Sequence, residues 1–329
     1  MLKWFLFLLL LWFLYYVREV FPPFIMGGII AYLLLPLVTK LSASTGINNR
    51  LAVAIIYLLF VAIIGLLFWL FGARAIDQFS TFVAQRREIV TNLVSQMSTA
   101  FNWQIDVEQS TNEILASIEQ NFGTPGEIVH LGALVSRGML AVLVTIVSSI
   151  YFIVDSKRVG QFFLRFLPEK RRVIAVDLSR QMNSILSKYV QGQLILITLM
   201  ACVAYSFLHF AFHLKYALLI AILSGFLEII PVLGPILATT TATIVGIAQN
   251  GVDCALLIIL CYTGARWIED YVIIPRVIGH YVELHPLTVI FAVLCGEVMA
   301  GALGMLIAIP VAASIKVILD FCYPQPTEN

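Results

Sequence analysis

Residues 225–237 read Gly225-Phe-Leu-Glu228-Ile-Ile-Pro231-Val-Leu-Gly234-Pro235-Ile-Leu237. They lie inside an almost unbroken apolar run from Tyr216 to Gln249. At ~1.5 Å per residue that run is long enough for a membrane-crossing helix. It is not a simple one. Pro231 and Pro235 each remove a backbone donor and crowd the preceding turn, and Gly234 between them permits open or left-handed backbone. Backbone groups freed at membrane depth are tolerated only where protein or a wet cavity covers them. Glu228 stands just before the first proline. A carboxylate beside an interruption in an apolar segment marks a candidate site for an ion or polar solute.

A second copy of the pattern Gly-x-Leu-x-x-Ile-Pro-Val starts at Gly304 and ends at Pro310-Val311. Paired hydrophobic segments interrupted by glycine and proline point to the binding site of a transporter. The blander reading is that both residues are common in membrane helices. The second copy has Ile307 where the first has Glu228. Both segments are expected to break at the motif.

Of the 329 residues, 60% are hydrophobic and 12% charged, against about 25% charged in a soluble domain. Mean hydropathy is +0.96. The fold class this implies is an all-α polytopic membrane protein: about eight transmembrane helices, two of the apolar elements broken by Gly/Pro, plus small helical extramembrane segments. The net charge of +1, with basic residues localised, gives no case for a nucleic-acid partner. The five cysteines include no CxxC pair and fall mostly in apolar segments. They read as buried thiols, with no disulfide frame, metal or cofactor expected.

Residues 1–73 hold three spans, the first over 2–17, with no small-residue cleavage site after it. Residues 74–130 are more polar, with three basic and seven acidic residues. Apolar residues recur at helical spacing from Ile76 to Phe101. Ser110-Thr-Asn-Glu113 and Thr124-Pro-Gly-Glu127 read as capping boxes. This segment is expected to be a helical subdomain. Residues 131–154 form a fourth span.

Residues 155–192 follow; their stretch 155–190 carries eight Lys/Arg against three Asp/Glu. That excess places this helical segment in the cytoplasm by the positive-inside rule. The acidic subdomain is then extracytoplasmic and both chain ends are cytoplasmic. The basic cluster reads as a surface helix, with anionic lipid as an alternative partner. Residues 193–322 hold spans five to eight, including both broken elements, and 323–329 read as a disordered tail. If either broken element is a re-entrant hairpin, the parity after residue 216 changes. His209 and His213 read as interfacial rather than as metal ligands. Arg266 and Asp270, spaced i,i+4, are positioned to pair. Glu269, Asp270 and Arg276 then either sit at the interface or line a polar path. Glu297 lies in the apolar interior of the last stretch.

At this point the sequence resembles the AI-2E (autoinducer-2 exporter) family of bacterial transporters over nearly its whole length. The matching blocks are Tyr32-Leu-Leu-Leu-Pro36-Leu, Tyr189-Val-Gln-Gly192-Gln193 and Glu228-Ile-Ile-Pro231-Val-Leu-Gly234-Pro235. Further blocks are Ile268-Glu269-Asp270 with Pro275-Arg276, Leu284-His285-Pro286-Leu287, and Gly296, Gly301 and Gly304 leading to Pro310. At Glu297 the family more often has glycine. The resemblance implies a bacterial inner-membrane secondary transporter with a tendency to pentamers. It implies export of autoinducer-2 in some members and sodium or lithium/proton antiport in others.

No GxxxxGK[ST] phosphate loop occurs, so ATP is not the expected driver. The first expectation is secondary transport of a small polar solute, coupled to protons or Na+. The candidate solute- or ion-binding residues are Glu228, Pro231, Gly234, Pro235, Glu269, Asp270, Arg276 and Glu297. Glu228 leads because a carboxylate in an apolar segment loses the hydration that favours its charge. A cation/proton antiporter is the alternative in the same class, and a non-transporting membrane scaffold the alternative from another. An enzyme is not expected, because no nucleophile–base pair or metal signature is present.

Overall fold

The computed structural model describes residues 9, 12–13, 16–17, 20–122, 135–230, 233–277 and 284–323. Among the described residues the regular structure is all helical. In chain order the α-helices are α1 (Phe21–Thr45), α2 (Asn49–Leu67), α3 (Ala73–Ala84), α4 (Arg86–Phe101), α5 (Val107–Phe122), α6 (Val135–Val154) and α7 (Ser156–Leu164). They continue as α8 (Glu169–Ser206), α9 (Ala217–Leu227), α10 (Leu233–Asn250), α11 (Asp253–Ile268), α12 (Ile274–Val277) and α13 (Pro286–Cys322). Short π-helical turns at Phe68–Gly72, Phe207–Ala211 and Glu269–Ile273 join α2 to α3, extend α8 and join α11 to α12.

Four helical stretches are long and apolar enough to cross a membrane: Phe21–Thr45, Asn49–Ala84, Arg171–Ala211 and Pro286–Cys322. Leu140–Val154 and Ala217–Leu227 are shorter apolar helices. Large apolar side chains on these stretches, such as Leu58, Trp69 and Leu140, stand out from the protein. Contiguous exposed apolar surface of this kind suits contact with lipid tails. The expectation for residues 2–17 falls almost entirely outside the described residues. So do the Thr124–Glu127 box and the tail beyond Tyr323.

The chain divides into two compact units, one of residues 1–60, 136–191 and 282–329, the other of 61–135 and 192–281. In the first unit, Ala31, Leu34 and Val38 of α1 pack against Ala52, Val53 and Tyr57 of α2 and Ile153 of α6. A methyl group on Gly27 would lie 2.9 Å from the Thr145 carbonyl oxygen. A glycine is therefore what lets α1 approach the α6 backbone. The Tyr57 and Ser149 hydroxyls are hydrogen-bonded in this core. Tyr32 donates its hydroxyl to Asn183 Oδ1 at 2.6 Å, tying α1 to α8.

α13 is two helical arms. Ala300 (φ −149°, ψ 21°) and Gly301 (φ 57°, ψ −139°) leave the helical region. A Cβ on Gly304 would sit 1.9 Å from the Gly296 carbonyl oxygen. Eight residues along a straight helix cover ~12 Å, so the chain has folded back on itself there. The second break therefore lies at Ala300–Gly301, and not at the Gly304–Pro310 motif. Gly301 takes a backbone conformation accessible to glycine. Pro310 is buried within the second arm, where its carbonyl accepts from the Ser314 hydroxyl at 2.7 Å.

In the second unit the Tyr216–Gln249 run also reverses. The Lys215 amide donates to Gln249 Oε1 at 2.9 Å, and Asn250 Nδ2 donates to the Phe212 carbonyl at 2.7 Å. The start of α9 is thus beside the end of α10, and the pair is an antiparallel hairpin. The 11 residues of α9 cover ~16 Å, about half of the ~30 Å hydrocarbon core. The run is thus a helical hairpin of two antiparallel arms and not one continuous helix. α11 then returns along α10 after a turn at Gly251 (φ 85°). The core of this unit joins Ala217 and Ile220 of α9, Ala242 and Val245 of α10, Ile258 and Tyr262 of α11, and Leu208 after α8.

The polar helices α3 and α4 dock on the open end of the hairpin. Gln85 Oε1 accepts from Lys215 Nζ at 2.7 Å and from the Tyr216 hydroxyl at 2.6 Å. Gln78 Oε1 accepts from the Leu219 amide at 3.0 Å. Phe82 packs edge-on against Tyr216. The proposed capping box at Ser110 is corrected by the structure: α5 begins at Val107, so Ser110 lies inside it. Asp106 is the cap, with Oδ1 accepting from the Glu108 and Gln109 amides at 3.0 and 3.1 Å. A carboxylate placed ahead of the first turn meets its unpaired amides earlier than Ser110 can.

α8 runs unbroken from Glu169 through Gln191-Gly192-Gln193 into the apolar stretch, so the basic segment is helical and continuous with it.

Candidate functional site: an acidic cluster at the tip of a helical hairpin

The tip of the α9–α10 hairpin is built from backbone. Glu228 follows the last residue of α9, and its amide donates to the Ser224 and Gly225 carbonyls, each at 3.2 Å. The Ile230 amide donates to the Leu227 carbonyl at 2.9 Å, and the Gly234 amide to the Ile230 carbonyl at 2.8 Å. A Cβ on Gly234 would fall 1.8 Å from the Leu227 carbonyl oxygen. Only a residue without a side chain lets the two arms close so tightly. Pro235 is the third residue of α10, where a missing backbone donor breaks no intrahelical bond. Pro231 lies outside the described residues.

The tip is held from two sides. Gln193 of α8 is buried, and its Nε2 donates to the Glu228 carbonyl at 3.0 Å. Arg266 of α11 donates Nη1 to Glu228 Oε1 at 2.5 Å and to Glu269 Oε2 at 3.3 Å. Its Nη2 lies 3.0 Å from Asp270 Oδ1 and its Nε 3.1 Å from Asp270 Oδ2, a two-pronged pairing. Such fork-to-fork contacts fix orientation as well as charge.

One guanidinium therefore faces three carboxylates. Glu228 is 7% exposed and Glu269 0%. Glu269 Oε1 is enclosed and has no hydrogen-bond partner among the described residues. With every group ionised the cluster carries two surplus negative charges, and charge buried without a partner is strongly unfavourable. A proton or a small cation relieves that imbalance.

Beside the cluster, Arg266 and Pro235 help to line a cavity of about 470 Å³ between α8, α10 and α11. Its wall carries Thr239, Thr240, Thr243 and Thr263. Next to it, the Ser224 and Tyr262 hydroxyls bond each other at 2.7 Å and link α9 to α11.

Of the residues singled out in the sequence, Glu228, Gly234, Pro235, Glu269 and Asp270 come together here. Arg276 is exposed at the end of the helical rod, and no ion pair to it occurs among the described residues. Glu297 is exposed on α13 and belongs to the other unit. Sequence reasoning paired Arg266 with Asp270 but did not bring it to Glu228, nor Gln193 to the tip. It also passed over the Thr239-Thr-Thr-Ala-Thr243 run, a polar patch in an apolar helix.

The chain matches the AI-2E family transporter description over residues 4–323. It is 26% identical over 319 residues to YueF of Bacillus subtilis, covering 92% of this chain and 84% of YueF. It is 24% identical over 319 residues to YrrI of the same organism, covering 95% and 89%. It is 26% identical over 316 residues to MT0215 of Mycobacterium tuberculosis, covering 92% and 83%. All three relatives are named for an assumed role in transport. With its long apolar helices and a match running almost end to end, the chain is an integral membrane protein that belongs to the AI-2E transporter family.

Proposed function

We propose that this chain is a secondary active transporter whose acid-rich hairpin tip is the coupling site. The observation that carries the reading is the imbalance around Arg266: one cation against Glu228, Glu269 and Asp270, with one Glu269 oxygen enclosed and unpartnered. A site that needs one more positive charge is suited to take up and release a proton or a small cation during a transport cycle. Family likeness supports a bacterial inner-membrane exporter of an autoinducer-2-like solute, assembled as a homo-oligomer.

The same surplus of negative charge favours a second reading, sodium or lithium/proton antiport without an organic solute. The charge balance of the polar segments supports an orientation for either. With 74–130 outside and 155–192 inside, the hairpin enters from the outer face and its tip points inward.

The test is transport by purified protein in liposomes under imposed proton, sodium and lithium gradients, with and without autoinducer-2. Glu228→Gln and Glu269→Gln are each expected to lower gradient-driven flux at least tenfold while leaving the protein monodisperse. Wild-type flux in both variants would remove the cluster from the mechanism. Absence of any flux in the parent protein would favour a membrane scaffold instead.

A further inference from the structure

An amphipathic helix follows at once where the apolar part of α6 ends. α6 is apolar from Leu140 to Val154. Tyr151 and Phe152, near its end, face outward, as aromatic residues do at a membrane boundary. Asp155 is the first charge, and α7 starts at the next residue. Along α7 and the turn after it, Val159, Phe162 and Phe166 recur at i, i+3 and i+7. Arg158, Gln161 and Arg165 do so one position earlier. Helical spacing gives each trio its own face.

The apolar trio is not in the core. Val159 is 47% exposed, Phe162 54% and Phe166 72%. The two rings meet edge-on with centroids 5.2 Å apart. Val173, in the first turns of α8, is also exposed. Exposed apolar surface of this kind marks a contact with a partner or a membrane.

Charge decides which. Residues 155–174 contain six Lys/Arg and two Asp/Glu. Both acids have local roles. Asp155 pairs with Arg158 at 3.3 Å, and Glu169 stands in the first turn of α8, where a negative charge suits the unpaired amides. Arg165, Arg171 and Arg172 are exposed, and no ion pair to them occurs among the described residues. Arg172 Nε donates to the Leu167 carbonyl at 3.1 Å, which ties the start of α8 back to the turn after α7. Rings on one face and surplus guanidiniums beside them, coming directly off a membrane helix, match the chemistry of an anionic bilayer surface. Phenyl rings enter the acyl boundary, and guanidiniums take phosphate oxygens.

We infer that α7, with the first turns of α8, is an interfacial anchor for anionic phospholipid. Arg165, Arg171 and Arg172 hold headgroup phosphates, while Phe162 and Phe166 sit among acyl chains. The inference stands apart from the transport reading and needs only that the chain is an integral membrane protein.

The experiment is hydrogen exchange at 156–174 in the full-length protein, reconstituted into nanodiscs of phosphatidylcholine alone or of equal parts phosphatidylcholine and phosphatidylglycerol. Exchange is expected to be about tenfold slower in the anionic discs, a protection that fades in high salt. R165Q, R171Q and R172Q combined are expected to abolish the difference, while melting temperature and exchange at 217–222 stay as in the parent. Phe162→Ser with Phe166→Ser is expected to speed exchange in both kinds of disc, since seating among acyl chains does not depend on headgroup charge. Equal exchange in the two discs, or a difference that the triple variant keeps, overturns the proposal. Unchanged exchange in the double phenylalanine variant overturns the seating of the rings. The same protection from inorganic phosphate in phosphatidylcholine discs would mark a soluble-anion site and overturn the lipid assignment. Protection in native membrane vesicles but in neither disc assigns the face to a protein partner and overturns it as well.

Discussion

Arg266 on α11 and Glu228 at the hairpin tip, 38 residues apart in the chain, are joined through Nη1 and Oε1. The pair closes the tip against the helix that follows the hairpin. Its strength depends on both members, because each is largely withdrawn from water.

Removing the cation alone is expected to be worse than removing cation and anion together. Arg266→Gln strands Glu228 and Glu269, and breaking a buried pair on one side typically destabilises by 3–5 kcal/mol. Pairing it with Glu228→Gln should restore about 1–3 kcal/mol. Thermal unfolding of the four proteins in detergent checks this; a double variant no more stable than Arg266→Gln would show that the two groups are uncoupled.

The two hairpins should respond alike to one added methyl. Gly234→Ala forces a Cβ to 1.8 Å from the Leu227 carbonyl, and Gly304→Ala to 1.9 Å from that of Gly296. Each is expected to destabilise by more than ~1–3 kcal/mol, the usual range for overpacking. Gly264→Ala on α11, with open space around it, is expected to gain up to about 1 kcal/mol of helix propensity. Melting temperature and monodispersity in detergent separate the three.

Gln193→Leu should loosen the tip without touching any charge. Losing the bond to the Glu228 carbonyl leaves a buried acceptor unpaired, worth about 1–3 kcal/mol. Hydrogen exchange at 228–230 is expected to speed up while exchange at 217–222 stays slow. Unchanged exchange at the tip would mean Gln193 holds nothing there.

Asp106→Ala should cost about 1 kcal/mol, as lost helix caps do, and raise exchange at the start of α5. Ser110→Ala is expected to do neither, because that residue lies within the helix. Equal effects from the two would restore the capping box at Ser110.

Composition alone declared the class, since so few charges cannot cover a soluble surface. The prolines and glycines of 225–237 announced an interruption, and Glu228, Glu269 and Asp270 stood out as acids in apolar surroundings. Reversal was not legible. Proline and glycine show that a helix stops, not whether the next one continues or returns; that is settled by contacts such as Lys215–Gln249. The repeated motif points to Pro310 for the second break, while the turn is made by Gly301, nine residues earlier. Within the cluster, Arg266–Asp270 follows from helical spacing. Arg266–Glu228 and Gln193–Glu228 are tertiary contacts that no local pattern encodes.

The two ends of the α9–α10 hairpin are secured very differently. At one end, Gln78 and Gln85, the Lys215–Gln249 contact and the packing of Phe82 on Tyr216 bolt it to α3 and the turn after it. At the other, the polar contacts come from two side chains of neighbouring helices, Gln193 and Arg266. The element is clamped by uncharged amides at its root and by an ion pair at its tip. A change of protonation alters the contacts at the tip and none of those at the root, since among the described residues the carboxylates facing Arg266 all lie at the tip.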